Sequence, residues 1–167
     1  MAVELPPPPP GYAARMERFQ EAASLVSEGL NAQGREILLH PAAAAAWRAM
    51  VLAATEEGCT LFLVSGFRSR ARQAEIIRAK LGRGMPMEEI LRVSAYPGFS
   101  EHHTGLAVDV AAPACPELVE AFEATPEFQW LKISAARFGF ALSYPRGNTR
   151  DIAYEPWHWC LRPVTPS

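Results

Sequence analysis

Cysteine is scarce and unpatterned: the 167 residues contain three, Cys59, Cys115 and Cys160, with no CxxC spacing among them. An odd, widely spaced set favours neither a disulfide framework nor a structural zinc site built from paired thiolates. Free thiols in a reduced compartment, or one disulfide with a thiol left over, are the two readings open. Basic charge is not in excess, with 16 Lys and Arg against 18 Asp and Glu. A protein that binds nucleic acid by neutralising phosphates needs a basic face, so the balance argues against that class. No apolar run approaches the roughly 20 residues that span a bilayer, and no basic segment followed by an apolar stretch marks an export signal. What is present is a chain with 49% hydrophobic residues, enough for one substantial core, and a length that suits one domain.

Proline is the residue in surplus, 15 in all, five of them in the run Pro6 to Pro10. That run is expected to be a solvated polyproline II leader over residues 1–10, ahead of a single domain over residues 11–167. A partner that reads proline is the other role open to it. Tyr12, Met16, Phe19, Ala23 and Val26 recur at helical spacing, which predicts an amphipathic helix from Tyr12 to Leu30. Pro41, an alanine run, Trp47 and Met50, with Gly58 as a stop, predict a second helix. Thr60 to Ser65 is a short apolar run, a buried strand. Ser69 can cap a helix to about Leu81, and Pro86 to Val93 reads as a short one. Leu106 to Ala111 is a second strand, and Thr125 with Pro126 opens a last long helix that stops at Gly139. Phe140 to Ser143 and Trp157 to Leu161 complete the strand candidates. Helices and strands mix without strict alternation, which predicts an α+β fold.

Four places hold polar residues that packing does not require: Ser65-Gly-Phe-Arg-Ser69, Gln73, Ser100-Glu-His-His-Thr-Gly-Leu-Ala-Val-Asp109 and Glu155-Pro-Trp-His-Trp159. Asp109 is the one charge in an otherwise apolar strand, and a buried carboxylate needs a partner, either a metal ion or an arginine. If His102 and Asp109 hold one metal, the chain must fold back between them, and Thr104-Gly105 supplies the flexible point. His158 would be a third ligand. Two histidines and a carboxylate are a familiar zinc set that leaves a fourth position open. Glu155, three residues earlier, could act as general base, since zinc lowers the pKa of water toward neutrality. Pro156 keeps Glu155 extended, so a bend must bring residues 155 and 158 to one side. His103 competes with His102, and Cys160 could share the face of His158. Arg68, at a strand end, could clamp a carboxylate or stabilise an oxyanion.

Together these segments resemble the LAS-type zinc peptidases, and more closely the VanY-type D-alanyl-D-alanine carboxypeptidases. The resemblance is carried by Ser100-x-His102-x-x-Gly105-x-Ala107-x-Asp109, by Glu155-x-x-His158-Trp159, and by Ser65-Gly-Phe-Arg68-Ser69 with Gln73 downstream. It implies Zn2+ held by His102, Asp109 and His158, with Glu155 as general base and acid. Arg68 would orient substrate or stabilise the tetrahedral intermediate, and Gln73 and Ser100 would bind the terminal carboxylate. The implied fold is a central, mostly antiparallel sheet flanked by helices, with zinc in a surface groove. The implied activity is release of a terminal D-alanine from a peptidoglycan stem peptide or muropeptide by a monomer. A peptidoglycan endopeptidase cutting between L-alanine and D-glutamate is the alternative enzyme, and a zinc-stabilised binding module without catalysis the alternative outside enzymes. With no export signal in view, three settings fit: a signal absent from this chain, cytoplasmic muropeptides, or phage lysis.

Overall fold

The structure, a computed structural model, describes residues 4–163; residues 1–3 of the expected leader and 164–167 of the expected domain lie outside it. Five α-helices form: α1 (Tyr12–Arg15), α2 (Pro41–Glu56), α3 (Arg70–Gly82), α4 (Met87–Val93) and α5 (Pro126–Ser134). Their starts are set by local chemistry. The His40 ring accepts a hydrogen bond from the Ala42 amide, Ser69 Oγ from Arg72 N, and Thr125 Oγ1 from Phe128 N, each satisfying an otherwise orphaned helix donor. Pro41 and Pro126 occupy the first helical turn, where no amide proton is missed.

The strands are β1 (Val26–Leu30), β2 (Glu36–Leu39), β3 (Phe62–Ser65), β4 (Ala107–Ala111), β5 (Phe140–Leu142) and β6 (His158–Leu161). β1 and β2 make a small hairpin, and the other four form an antiparallel sheet in the order β3-β4-β6-β5. This is the α+β arrangement that the mixed pattern predicted. β4 is buried along its whole length, so its two faces serve different ends. Val108 and Val110 join Trp159, Phe140 and residues of α2 and α5 in the main core. Asp109 points the other way, toward a second apolar cluster built from Tyr12, Ile77, Ile90, Phe99, Tyr144 and Ile152. The site occupies the space between that cluster and the sheet.

Two expectations need correction, and one element was not foreseen. The helix expected over Tyr12 to Leu30 ends at Arg15, and the chain continues extended into β1. The cause is tertiary: Phe19 N donates to Gly98 O and Ala22 N to His103 O, so this segment finds its backbone partners on another loop. The hairpin β1–β2 was not anticipated, although Asn31 to Gly34 carries turn chemistry, with Asn31 Oδ1 accepting from the amides of Gln33 and Arg35. The last helix gives way at Ser134 to a 3-10 turn over Ala135–Phe138, closed by Gly139. The proline run lies against the body of the domain, where the Tyr96 hydroxyl donates to Pro6 O and Tyr12 N to Pro9 O. All three cysteines are free and buried.

Candidate active site

The register of the central sheet places Asp109 on β4 directly opposite His158 on β6. His102 arrives from a separate element, a 3-10 turn over Glu101–Thr104. Ser100 Oγ opens that turn by accepting from His102 N, and Gly105 closes it at φ 70. A Cβ at Gly105 would lie 2.7 Å from His40 N, so only glycine lets the chain double back here. The three residues are buried, and one donor atom from each falls within 4.8 Å of the others. His102 Nε2 is 3.2 Å from Asp109 Oδ2, and His158 Nδ1 is 3.2 Å from Asp109 Oδ1.

The remaining ring nitrogens show which lone pairs face inward. His102 Nδ1 is 2.7 Å from Gly66 O, and a carbonyl can only accept, so that nitrogen carries the proton. His158 Nε2 faces the Glu101 carboxylate at 3.4 Å. Two imidazoles, each oriented from behind, thus converge with a carboxylate, as ligands of a divalent cation do. Asp109 Oδ1 is buried with no hydrogen bond to satisfy it. The donor set and this orphaned oxygen fit zinc, and nitrogen with oxygen donors is the usual catalytic combination for that ion.

Charge balance agrees. Burial alone would lower the His158 pKa, but the Asp109 and Glu101 carboxylates facing its two nitrogens overcome it and push the ring up to about 10. Burial would likewise raise Asp109 and Glu101, yet the histidines beside them hold both well below the usual carboxylate range. The site is built to hold positive charge, and a cation bound at Nδ1 replaces a proton there.

Glu155 approaches through the bend that its sequence position demanded. His158 N donates to Glu155 O at 3.2 Å, closing a turn with Pro156 at its second position, where a fixed φ is preferred. The Glu155 carboxylate then lies 3.8 Å from His158 Nδ1. Burial, with repulsion from Asp109 and Glu101 and against attraction by His158 and Arg68, raises its pKa to about 7. Arg68 follows β3, and its fork donates to Gln73 Oε1 at 3.0 Å and to Ser65 Oγ at 3.4 Å. Gln73 is fixed in turn, donating through Nε2 to Ala95 O at 2.6 Å. Arg68, Gln73, Ser100, His102, Asp109, Glu155 and His158 all line one cavity of about 260 Å³. These are the seven residues that the family resemblance assigns to the site.

His103 does not share that cavity. Its Nδ1 sits 2.7 Å from Arg68 O and its Nε2 accepts from Gly98 N, so it braces the loop behind the site. Sequence reasoning passed over Glu101, which is 2% exposed and also accepts from Ser143 Oγ at 2.7 Å and from Arg162 at 3.5 Å. A glutamate before two histidines gives no signal of its own; only the return of β6 places His158 against it. Tyr144 was missed as well, its ring centroid 4.8 Å from that of His158. Cys160 is buried beside Glu101 and is not part of the converging donor set.

Residues 36–164 match the sequence profile of VanY, D-alanyl-D-alanine carboxypeptidase. The chain belongs to the VanY family. Among its relatives, YodJ of Bacillus subtilis is 42% identical over 123 residues, covering 70% of this chain and 43% of YodJ. The D-alanyl-D-alanine carboxypeptidase of Enterococcus faecium is 31% identical over 112 residues, covering 65% of this chain and 32% of the relative. The chain therefore spans less than half the length of these two relatives. The LdcB LD-carboxypeptidase superposes with a TM-score of 0.76 at 34% identity, over 84% of this chain and 69% of LdcB. VanYB in complex with D-alanine-D-alanine gives 0.67 at 27%, over 86% and 81%. A VanY E175A mutant in complex with Zn(II) gives 0.64 at 26%, over 83% and 79%. The VanY-family fold and the LAS-type resemblance read from the sequence both stand.

Proposed function

We propose that this VanY-family domain, residues 11–167, is a zinc-dependent carboxypeptidase that removes the terminal D-alanine from peptidoglycan stem peptides. The observation that carries the reading is the convergence of His102, Asp109 and His158 on one point, with Glu155 and the Arg68–Gln73 pair facing the same cavity. His102 Nε2, an Asp109 oxygen and His158 Nδ1 would hold the ion. Zinc bound there supplies Lewis acidity and lowers the pKa of water.

The protein's own groups do the rest. Glu155, with a pKa near neutrality, can take a proton from water and return it to the leaving amine. The Arg68 fork is held by Gln73 and Ser65, so its remaining donors meet a carbonyl oxygen or a carboxylate without reorganisation. Ser100 Oγ accepts from His102 N, which leaves its own proton free to donate to a terminal carboxylate. Every group named comes from one chain, so the site needs no residue from a second copy.

The test is mass spectrometry of muropeptides ending in D-Ala-D-Ala or in a single D-Ala, after incubation with the zinc-loaded protein. Glu155→Ala and a chelated sample run in parallel. Loss of one alanine, abolished in both controls, is the expected result, and the substrate that reacts sets D,D or L,D preference. Cleavage within the stem would replace the reading by an endopeptidase, and full zinc binding without any cleavage by a binding module.

A further inference from the structure

Helix α3 presents Gln73, Ile76 and Lys80 to the cavity on one face, and only Gln73 has a place in the chemistry above. Lys80 is half-buried in the cavity wall, and Nζ donates to Ser94 Oγ at 2.6 Å. Ser94 lines the same cavity. Among the described residues Lys80 makes no ion pair, whereas the two acidic residues of the cavity, Asp109 and Glu155, face the histidines. An ammonium has three donors, so two remain after Ser94. Burial, together with Arg83 and Arg68, already disfavours the charge, with Glu155 in opposition; an incoming anion would relieve the imbalance. From Gln73 to Lys80 is two helical turns, about 10 Å along the axis. An extended peptide covers that distance in roughly three residues.

We propose that Lys80, with Ser94, is a specificity-determining pair that receives a second carboxylate of the substrate, borne by a residue upstream of the terminal D-alanine. The inference rests on the carboxypeptidase reading and names the substrate class it favours: peptides acidic near the cleaved end, over amidated or basic ones. A bound dication would leave the cavity with Arg68 and Lys80 facing substrate, a pattern suited to two carboxylates in place of one.

The experiment uses D-alanine-terminated peptides that differ only in carrying Glu, Gln or Lys, in separate series at each of the three residues before the terminal alanine. The ratio of kcat/KM for the Glu peptide to that for the Gln peptide is measured with wild type, Lys80→Met, Lys80→Arg and Lys80→Glu. A charged hydrogen bond of ordinary strength gives a wild-type ratio of about tenfold or more in one series. The ratio falls toward one in K80M, survives in K80R, and turns to favour the Lys peptide in K80E. Using ratios within each variant cancels any general loss of activity. Hydrolysis of all peptides without discrimination, or a ratio unchanged in K80M, overturns the proposal and leaves the carboxypeptidase reading intact. Hydrolysis of none by wild type overturns both.

Discussion

Replacing Glu101 by glutamine isolates the role of a carboxylate that touches the site only through His158. The substitution keeps shape and volume in a position that is 2% exposed. In the native site both carboxylate oxygens accept: Oε2 from Ser143 Oγ and opposite His158 Nε2, Oε1 from Arg162. An amide can accept at only one end, so either His158 or Arg162 meets an NH2 group donor to donor. Arg162 is exposed and can turn to water; His158, 3% exposed, cannot. The imidazole therefore loses the negative charge that keeps its proton on Nε2 and its lone pair directed inward. Partners of this kind are worth about 10- to 100-fold in metal affinity, or about 1.4–2.8 kcal/mol. The assay is zinc competition against a chromophoric chelator, with the melting temperature of the metal-free protein measured beside it. A melting point that drops while zinc affinity stays within twofold of wild type would refute the reasoning, because Glu101 would then serve only packing.

Four further outcomes follow from the geometry. Zinc binding at pH 8 should release about one proton per ion, read in a weakly buffered titration, because carboxylates hold the metal-free His158 ring at about 10; affinity should accordingly rise with pH, and no proton release would contradict the assignment of Nδ1. Activity should fall on the acid side as Glu155 takes a proton, with a midpoint below the value of about 7 set without a cation, since a nearby positive charge favours the ionised form; a kcat/KM flat from pH 5 to 8 would remove Glu155 as base. Arg68→Lys should lower kcat/KM by about a hundredfold or more in steady-state assays, because an ammonium cannot replace a fork locked on Gln73 and Ser65; a loss under threefold would point to a plain charge. Gly105→Ala should destabilise the fold by about 2 kcal/mol or more, some 4–8 °C in melting temperature, through its left-handed φ and the crowding of His40 N; an unchanged melt would mean the turn has another conformation open to it.

The candidate ligands were legible for different reasons: Asp109 is the one charge in an all-buried strand and His158 stands between two tryptophans, whereas His102 was chosen over His103 by the family pattern and not by spacing. Glu155 was legible with one condition attached, a bend before His158, and Pro156 both imposed the condition and fits the turn that meets it. Helices with a capping side chain and a proline in the first turn were read well, since those signals are local. The segment from Met16 to Leu30 was misread because its apolar spacing is helical while its partners are Gly98 and His103, remote in sequence. Glu101 was invisible for the same reason. Its meaning comes from β6, and no neighbour in the chain reveals that a buried histidine waits opposite. Gly66 is a further case: any side chain there would strike Leu38 O at 2.6 Å, so strand β2 packs directly against the residue whose carbonyl orients His102.

The pairing of β4 with β6 also has a consequence for how long the protein survives. Asp109 and His158 meet only because two strands far apart in the chain lie side by side, and His102 joins them only when its turn packs against Gly66. An unfolded chain offers no such chelate, so a cation that binds this set binds the native state alone. Each tenfold rise in free ion above the dissociation constant then adds about 1.4 kcal/mol to the free energy of unfolding. On the zinc reading, resistance to heat and to proteolysis becomes a gauge of the zinc around the molecule. A starved environment would empty the site and expose the chain to degradation in one step.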